Sequence, residues 1–301
     1  MTNSTYYEPV IIEAALNGAT VKARNPHVPR TPAEIADDAV RCLDAGAAII
    51  HNHNDDAVLG GSSVHDPAPY LTAWRRILSE RPGAILYPTM GSGGPHVTIE
   101  QRYAHVETLA AEGVLGLALV DPGSTNIGGV DDDGLPRPVD LVYQNTYRDA
   151  RYMFAACERL RVGMSISIFE PGFLRVVLAY HAAGRLPPGA FVKLYFGADT
   201  RLSFGLPPTK PALEAYLAML EETGLPWLVS ALGGDVVGCG LARFALERRG
   251  HVQVGLEPYA GDRTPTNVQL IREAVSIAAQ VGRPVATSTD ARRIIGIPPL
   301  G

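Results

Sequence analysis

A (β/α)8 barrel is the fold class that this 301-residue sequence predicts, and three observations predict it. Short apolar runs bounded by Gly, Pro or Asp alternate with longer amphipathic segments from end to end, the pattern of repeated β-α units around a parallel sheet. There are eight such units. Nearly every apolar run also ends in side chains that can do chemistry, as expected where active sites lie at the C-terminal mouths of barrel strands. A doubly wound open sheet is the alternative, but no GxGxxG follows the first strand. With 46% hydrophobic residues, residues 1–301 are expected to form one domain with a short extra helix over 290–295.

The units follow in order. Strand one, 10–14, places Glu13 among β-branched neighbours in "VIIEAAL" and is followed by Asn17 and Gly18. The first helix, starting near Pro32, has Thr31 as its cap, Glu34 three residues on, Pro in the first turn and Gly46 as its stop. Strand two, 47–51, runs into "HNHNDD", and a helix begins near Pro67 after the Asp66 cap. Strand three, 84–87, runs into Thr89 and Ser92, with a helix from near Thr98. Strand four, 115–120, runs into Asp121, Ser124, Thr125 and Asn126, with a helix from near Thr146. Strand five, 163–168, carries Ser167 and leads to Phe169 and Glu170, with a helix from near Gly172. Strand six, 191–196, precedes a helix near Pro208; strand seven, 227–230, ends in Ser230 and "LGGD" before a helix near Val236. Strand eight, 252–256, stops at Glu257, and the last helix of the ring starts near Thr266.

Composition narrows the function. The chain has 26 Lys and Arg against 31 Asp and Glu, without a basic block or zinc-finger spacing, so nothing tracks a nucleic-acid backbone. Cys42, Cys157 and Cys239 form no CxxC pair and no disulfide framework, and read as packing residues of a reduced protein. No apolar run approaches the ~20 residues that cross a bilayer, and the N-terminus lacks an export signal. A cytoplasmic enzyme with a small-molecule substrate is the expectation.

The most specific motif is His51-Asn52-His53. On a strand, residues two apart point the same way, so the imidazoles project from one face about 6 to 7 Å apart and can converge on one ion, with Asn52 turned away. A catalytic zinc takes three protein ligands and an open position, and Glu257 on the same rim is the third candidate; two histidines and a carboxylate also suit Fe2+. Asp55 and Asp56 are candidates for holding imidazole tautomers or for capping the loop. Glu13 is costly where it stands unless paired or near a metal. It serves as a general base, holds a polar substrate group, or forms a salt bridge to a basic residue on another strand such as Lys193. The Ser, Thr and Gly clusters after strands three and four offer hydroxyls and backbone N–H groups to an oxyanion. His65, His96, His105, His181 and His251 read as structural.

These residues also carry a resemblance. "PVIIEAALNGA", "NPHVPRTPAEIADDAVRCLDAGAAIIHNHNDD", "SVHDPAPYL", "GSTNIGG", "VYQNTYRDARYMFAACE", "VQVGLEPY" and "TNVQLIREAVSIAAQVGRPVATSTDARRIIG" together resemble the β-keto acid cleavage enzyme family over nearly the whole chain. The resemblance implies zinc on His51, His53 and Glu257, a homotetramer, and a retro-Claisen-type reaction in which a β-keto acid and acetyl-CoA give acetoacetate and a new acyl-CoA. It implies substrate contacts at Glu13, Thr89, Ser92, Ser124 and Thr125. Beyond the resemblance, Glu13 or one of the aspartates, with Asp56 the candidate, is expected to orient the substrate or move a proton. This sequence also departs from the family: charged positions that serve the reaction there are Gln253, Pro258 and Ser167 here, and Asp235 stands in the loop after strand seven. Joint loss of a charged set reads as a coordinated change, since one member left alone would be a costly unpaired charge. Two further expectations follow: a CoA-independent zinc hydrolase or lyase, and a non-catalytic metal-binding paralogue.

Overall fold

A computed structural model describes residues 8–54, 65–91, 97–198 and 204–298. Eight parallel strands form one sheet in the order β3-β2-β1-β10-β9-β8-β7-β4. They are β1 (Ile12–Ala15), β2 (Ile49–Asn52), β3 (Ile85–Pro88), β4 (Leu117–Val120), β7 (Gly163–Ile168), β8 (Ala190–Gly197), β9 (Trp227–Leu232) and β10 (His251–Val254). The two ends of the sheet meet where the Gly116 N–H donates to the Leu86 carbonyl at 2.8 Å, completing a (β/α)8 barrel. Only glycine allows that approach, because a Cβ at position 116 would lie 2.7 Å from the Leu86 nitrogen. Gly116→Val is therefore expected to destabilise the protein by about 1–3 kcal/mol, read as a lower urea midpoint with an unchanged slope.

The helices are α1 (Pro32–Asp44), α2 (Pro67–Glu80), α3 (Ile99–Ala111), α4 (Tyr147–Leu160), α5 (Pro171–Ala182), α6 (Lys210–Leu220), α7 (Leu241–Glu247), α8 (Asn267–Gln280) and α9 (Ser288–Ile295). Thr31 and Glu34 form the expected capping box, and Thr98, Thr146, Thr266 and Thr287 open their helices in the same reciprocal way. Trp74, Tyr70, Tyr103, Phe154 and Tyr216 fill the layer between helices and sheet and are almost fully buried. Among the described residues no helix is long and apolar enough to cross a membrane.

Several boundaries differ from the sequence expectation for visible reasons. Strand one starts at Ile12 because Val10 pairs instead with the C-terminal segment: its N–H donates to the Pro284 carbonyl and its own carbonyl accepts from Ala286. Strand eight stops at Val254, since the Leu256 N–H turns to the Asn267 side chain at 2.8 Å. The helix expected from Val236 starts at Leu241. Asp235 Oδ1 first captures the N–H groups of Val237 and Gly238, at 3.0 and 2.8 Å, and spends those residues on a turn. A two-stranded antiparallel hairpin, β5 (Thr125–Asn126) with β6 (Val142–Tyr143), lies between β4 and α4 where only a loop was expected.

One buried histidine ties the barrel's acid stability to its frame. His251, at the start of β10, accepts the Ile11 N–H on Nδ1 at 2.9 Å, and burial together with nearby Arg283 holds its imidazole down at about 3. In the unfolded chain it titrates near 6.5. Between these values the unfolded state binds the extra proton, so stability is lost as pH falls from 6.5 towards 3, by about 2 kcal/mol at pH 5 from this group. Denaturation curves at pH 7 and pH 5 should differ more for the wild type than for His251→Gln.

Candidate metal centre

The last residues of β2 and the turn after β10 bring three expected ligands together. His51 Nε2 lies 3.2 Å from Glu257 Oε2, and His53 Nε2 lies 3.4 Å from Glu257 Oε1. One ligand atom from each of the three residues falls within 4.8 Å of the others, and among the described residues no other cluster of His, Cys, Asp and Glu does so. Glu257 fits because residue 18 is glycine: a Cβ there would meet Glu257 Cγ at 2.4 Å, and the backbone φ of +49° suits a residue without one.

Neighbouring groups hold the ligands. The Asn17 side chain clamps the His53 backbone from both sides, accepting its N–H at 2.8 Å and donating to its carbonyl at 3.0 Å. His51 Nδ1 faces the Tyr87 carbonyl at 3.3 Å, which presents Nε2 to the centre when Nδ1 carries the proton. The His51 ring stacks on Tyr87 with centroids 4.4 Å apart. Asn52 points away, as its place between the two histidines requires, and accepts from the Trp74 indole at 2.8 Å.

The electrostatics suit a cation. Burial pushes the His53 imidazole below its ordinary value, although Glu257 pulls the other way. Burial also opposes ionisation of Glu257, but His51 and His53 outweigh it and hold the carboxyl well below the usual range. A neutral imidazole and an ionised carboxylate are the ligand forms a metal needs. His53 Nε2 and Glu257 Oε2 are buried without a hydrogen-bond partner, an unusual cost that a bound ion would remove. The residues therefore fit a divalent metal with an open coordination position, Zn2+ or Fe2+ by donor type.

Beneath the ligands lies a layer of buried polar side chains. Glu13 Oε1 accepts from the Tyr87 hydroxyl, from Gln253 Nε2 at 2.6 Å and from Lys193 Nζ at 3.3 Å. Glu13, Lys193, Gln253 and Tyr87 are all effectively sealed from solvent. The ion pair to Lys193, one of the alternatives for Glu13, is thus present, while Glu13 Oε2 and Gln253 Oε1 have no partner. Tyr87 had not been singled out. Tyr87 pairs in register with His51, and that pairing, which nothing local in the sequence gives, brings it to the centre.

The other candidates sit on the rim or outside the described residues. Thr89 is buried at the end of β3, where its carbonyl contacts His105 Nε2 at 2.8 Å. Ser124 is tied to the Asn145 backbone at 2.9 Å, and Thr125 donates to Glu170 at 3.0 Å. Both contacts pin the β5-β6 hairpin to the mouth. Asp55, Asp56 and Ser92 lie outside the described residues. Gln253 and Ser167 face the interior as neutral groups, Ser167 beside Asp121. Burial pushes the Asp121 carboxyl above the usual range against the hydrogen bonds of Tyr143 and Ser167. Tyr143 and Arg102, which holds Asn145 at 2.8 Å, are supporting residues that sequence reading had not identified.

The chain is similar to known proteins over most of its length. A family model described as beta-keto acid cleavage enzyme matches residues 9–297. The chain is 28% identical over 300 residues to 3-keto-5-aminohexanoate cleavage enzyme of Fusobacterium nucleatum subsp. nucleatum, covering 96% of this chain and 98% of that one. It is 25% identical over 302 residues to 3-oxoadipate:acetyl-CoA acetyltransferase of Cupriavidus necator, covering 97% and 96%. Both relatives bear the names of enzymes. The apo structure of ObcA superposes with a TM-score of 0.71 at 17% identity over 92% of this chain and 66% of that longer chain, a likeness of fold.

Proposed function

The chain belongs to the beta-keto acid cleavage enzyme family, and on that premise we propose that it transfers the acyl group of a β-keto acid to CoA at a metal centre of His51, His53 and Glu257. In the reaction, the bond between C2 and C3 of the keto acid breaks and its acyl carbon joins the CoA sulfur. The acetyl C–S bond of acetyl-CoA also breaks and its acetyl carbon joins the released C2, giving acetoacetate and a new acyl-CoA with no net change in protons or electrons. The observation that carries this reading is the convergence of three ligand atoms within 4.8 Å, with buried His53 Nε2 and Glu257 Oε2 unpartnered.

A divalent metal held there supplies Lewis-acid polarisation of the keto and carboxylate oxygens. The protein does the rest. Thr89, Ser124 and Thr125 at the strand ends orient the substrate through hydroxyl and backbone groups, and Ser92 is a further candidate from the sequence. Glu13 fixes the substrate from below, and Asp56 is the candidate for moving its proton. Asp121 is a second candidate because it abuts Ser167, the neutral residue at a charged family position, and burial keeps its carboxyl above the usual range.

Neutral Gln253, Pro258 and Ser167 favour one further reading, a CoA-independent hydrolase at the same centre. Incubation with a panel of β-keto acids with and without acetyl-CoA, followed by mass spectrometry, separates the two. Acyl-CoA and acetoacetate formed only with acetyl-CoA support the transferase. Turnover without acetyl-CoA supports the hydrolase, and no turnover in a metal-loaded preparation overturns both.

A further inference from the structure

We propose that the acidic hairpin arm between β4 and α4 of one copy of this chain seats in the arginine-rimmed groove between α4 and α5 of a second copy. A two-fold axis returns the second arm to the first groove, so that both contacts are the same.

The helices α1 to α8 form a ring in which every neighbouring pair packs closely except α4 and α5. Those two meet at the rings of Phe154 and Tyr180, with centroids 4.3 Å apart. Small residues, among them Ala150, Ala155, Gly172 and Ala179, leave a groove of about 700 Å³ between them. Phe154, Val176 and Tyr180 give it an apolar lining, and Arg151, Arg175 and Arg185 stand along it against a single acid, Glu158. Among the described residues none of these three arginines has an ion pair, whereas Arg159 on the same helix α4 is paired with Glu107 at 2.7 Å.

The arm has the complementary surface. Its base is the β5-β6 hairpin, and its tip is held in shape by Asp131 Oδ1, which accepts from the Asp133 and Leu135 N–H groups at 3.1 and 3.0 Å. The Arg137 N–H donates to the Gly129 carbonyl at 2.8 Å and closes the arm above its base. A segment ordered in this way loses little freedom when it docks. Residues 132–142 are nevertheless all exposed. Of the large hydrophobic residues exposed among the described residues, Leu135, Val139, Leu141 and Val142 lie on the arm, and Tyr147, which lines the groove, follows just after it. Apolar side chains clustered on a surface mark a contact site. Asp131, Asp132, Asp133 and Asp140 stand on the arm against one base, Arg137, the reverse of the groove's charge. No arm residue lines the groove of its own chain, so a second copy supplies the occupant, and a two-fold arrangement closes the assembly. Residues 130–141 lie between "GSTNIGG" and "VYQNTYRDARYMFAACE", outside both stretches that carry the family resemblance.

A charge exchange read by sedimentation velocity tests the seat. The full-length wild type is expected to associate at micromolar concentration and to loosen as NaCl rises from roughly 50 to 500 mM. Arg151→Glu/Arg175→Glu in the groove, and separately Asp132→Arg/Asp133→Arg on the arm, should each weaken association at least about tenfold, because each sets like charges across the contact. Mixing the two variants in equal amounts should restore association, since every arm then meets a groove of opposite charge. All four side chains are exposed, and circular dichroism checks that both variants keep the fold. A wild type that stays monomeric overturns the seat for a second copy and leaves the groove to an acidic partner of another kind. Association that neither variant weakens, or that mixing does not restore, overturns the pairing of arm and groove.

Discussion

His51→Ala should leave the purified protein with less than about a tenth of the metal that the wild type retains and reduce turnover by at least about a thousandfold, because two ligands do not make a catalytic site. Glu257→Gln is the sharper variant. It keeps size and hydrogen bonding but removes the charge that His51 and His53 face at 3.2 and 3.4 Å. Glu257→Gln should stay folded, since it removes a buried charge whose Oε2 has no hydrogen-bond partner. Asn17→Ala, which releases the His53 backbone clamp, should weaken metal affinity by about 10- to 100-fold while leaving all three ligands in place. Metal analysis of dialysed protein, paired with circular dichroism, reads all three variants. Wild-type metal retention by His51→Ala would remove the centre from the account.

The second large effect is on stability. Lys193→Met leaves the Glu13 carboxyl buried without its cation and should cost about 3–5 kcal/mol in urea denaturation at pH 7. Adding Glu13→Gln should return much of that loss, because the neutral amide still accepts from Tyr87 and Gln253 while the stranded charge is gone. The coupling between the two sites, measured as a double-mutant cycle, should be at least about 2 kcal/mol. Additive effects would mean that the pair contributes nothing beyond its separate parts.

Much of the architecture could be read from residues alone because each β-α unit repeats the same local chemistry: an apolar run, a polar end and a capped helix. Thr31 with Glu34 announced a helix start that the structure keeps, and His51 with His53 announced a shared face. The helix after strand seven was harder to place, since Val236 and Val237 look helical until Asp235 takes their neighbourhood into a turn. The β5-β6 hairpin has strands of two residues each, too short for alternation to register. The polar layer inside the barrel was the least visible. In "FVKLYF" and "AILYP" nothing local says that Lys193 and Tyr87 turn inward to Glu13, because strand register across the barrel decides it. Lys193 is legible from the sequence only as one alternative partner for a buried acid, and the network around it follows from register.

The central claim is that this centre exchanges acyl groups between a β-keto acid and acetyl-CoA. The most direct test supplies acetyl-CoA carrying 13C at both acetyl carbons, with an unlabelled β-keto acid that the enzyme consumes. The account predicts acetoacetate labelled at C3 and C4, an unlabelled new acyl-CoA, and loss of both products when the metal is stripped or His51 is replaced. Consumption of the keto acid with unlabelled acetyl products, or labelled acetoacetate formed equally well by His51→Ala, would contradict it.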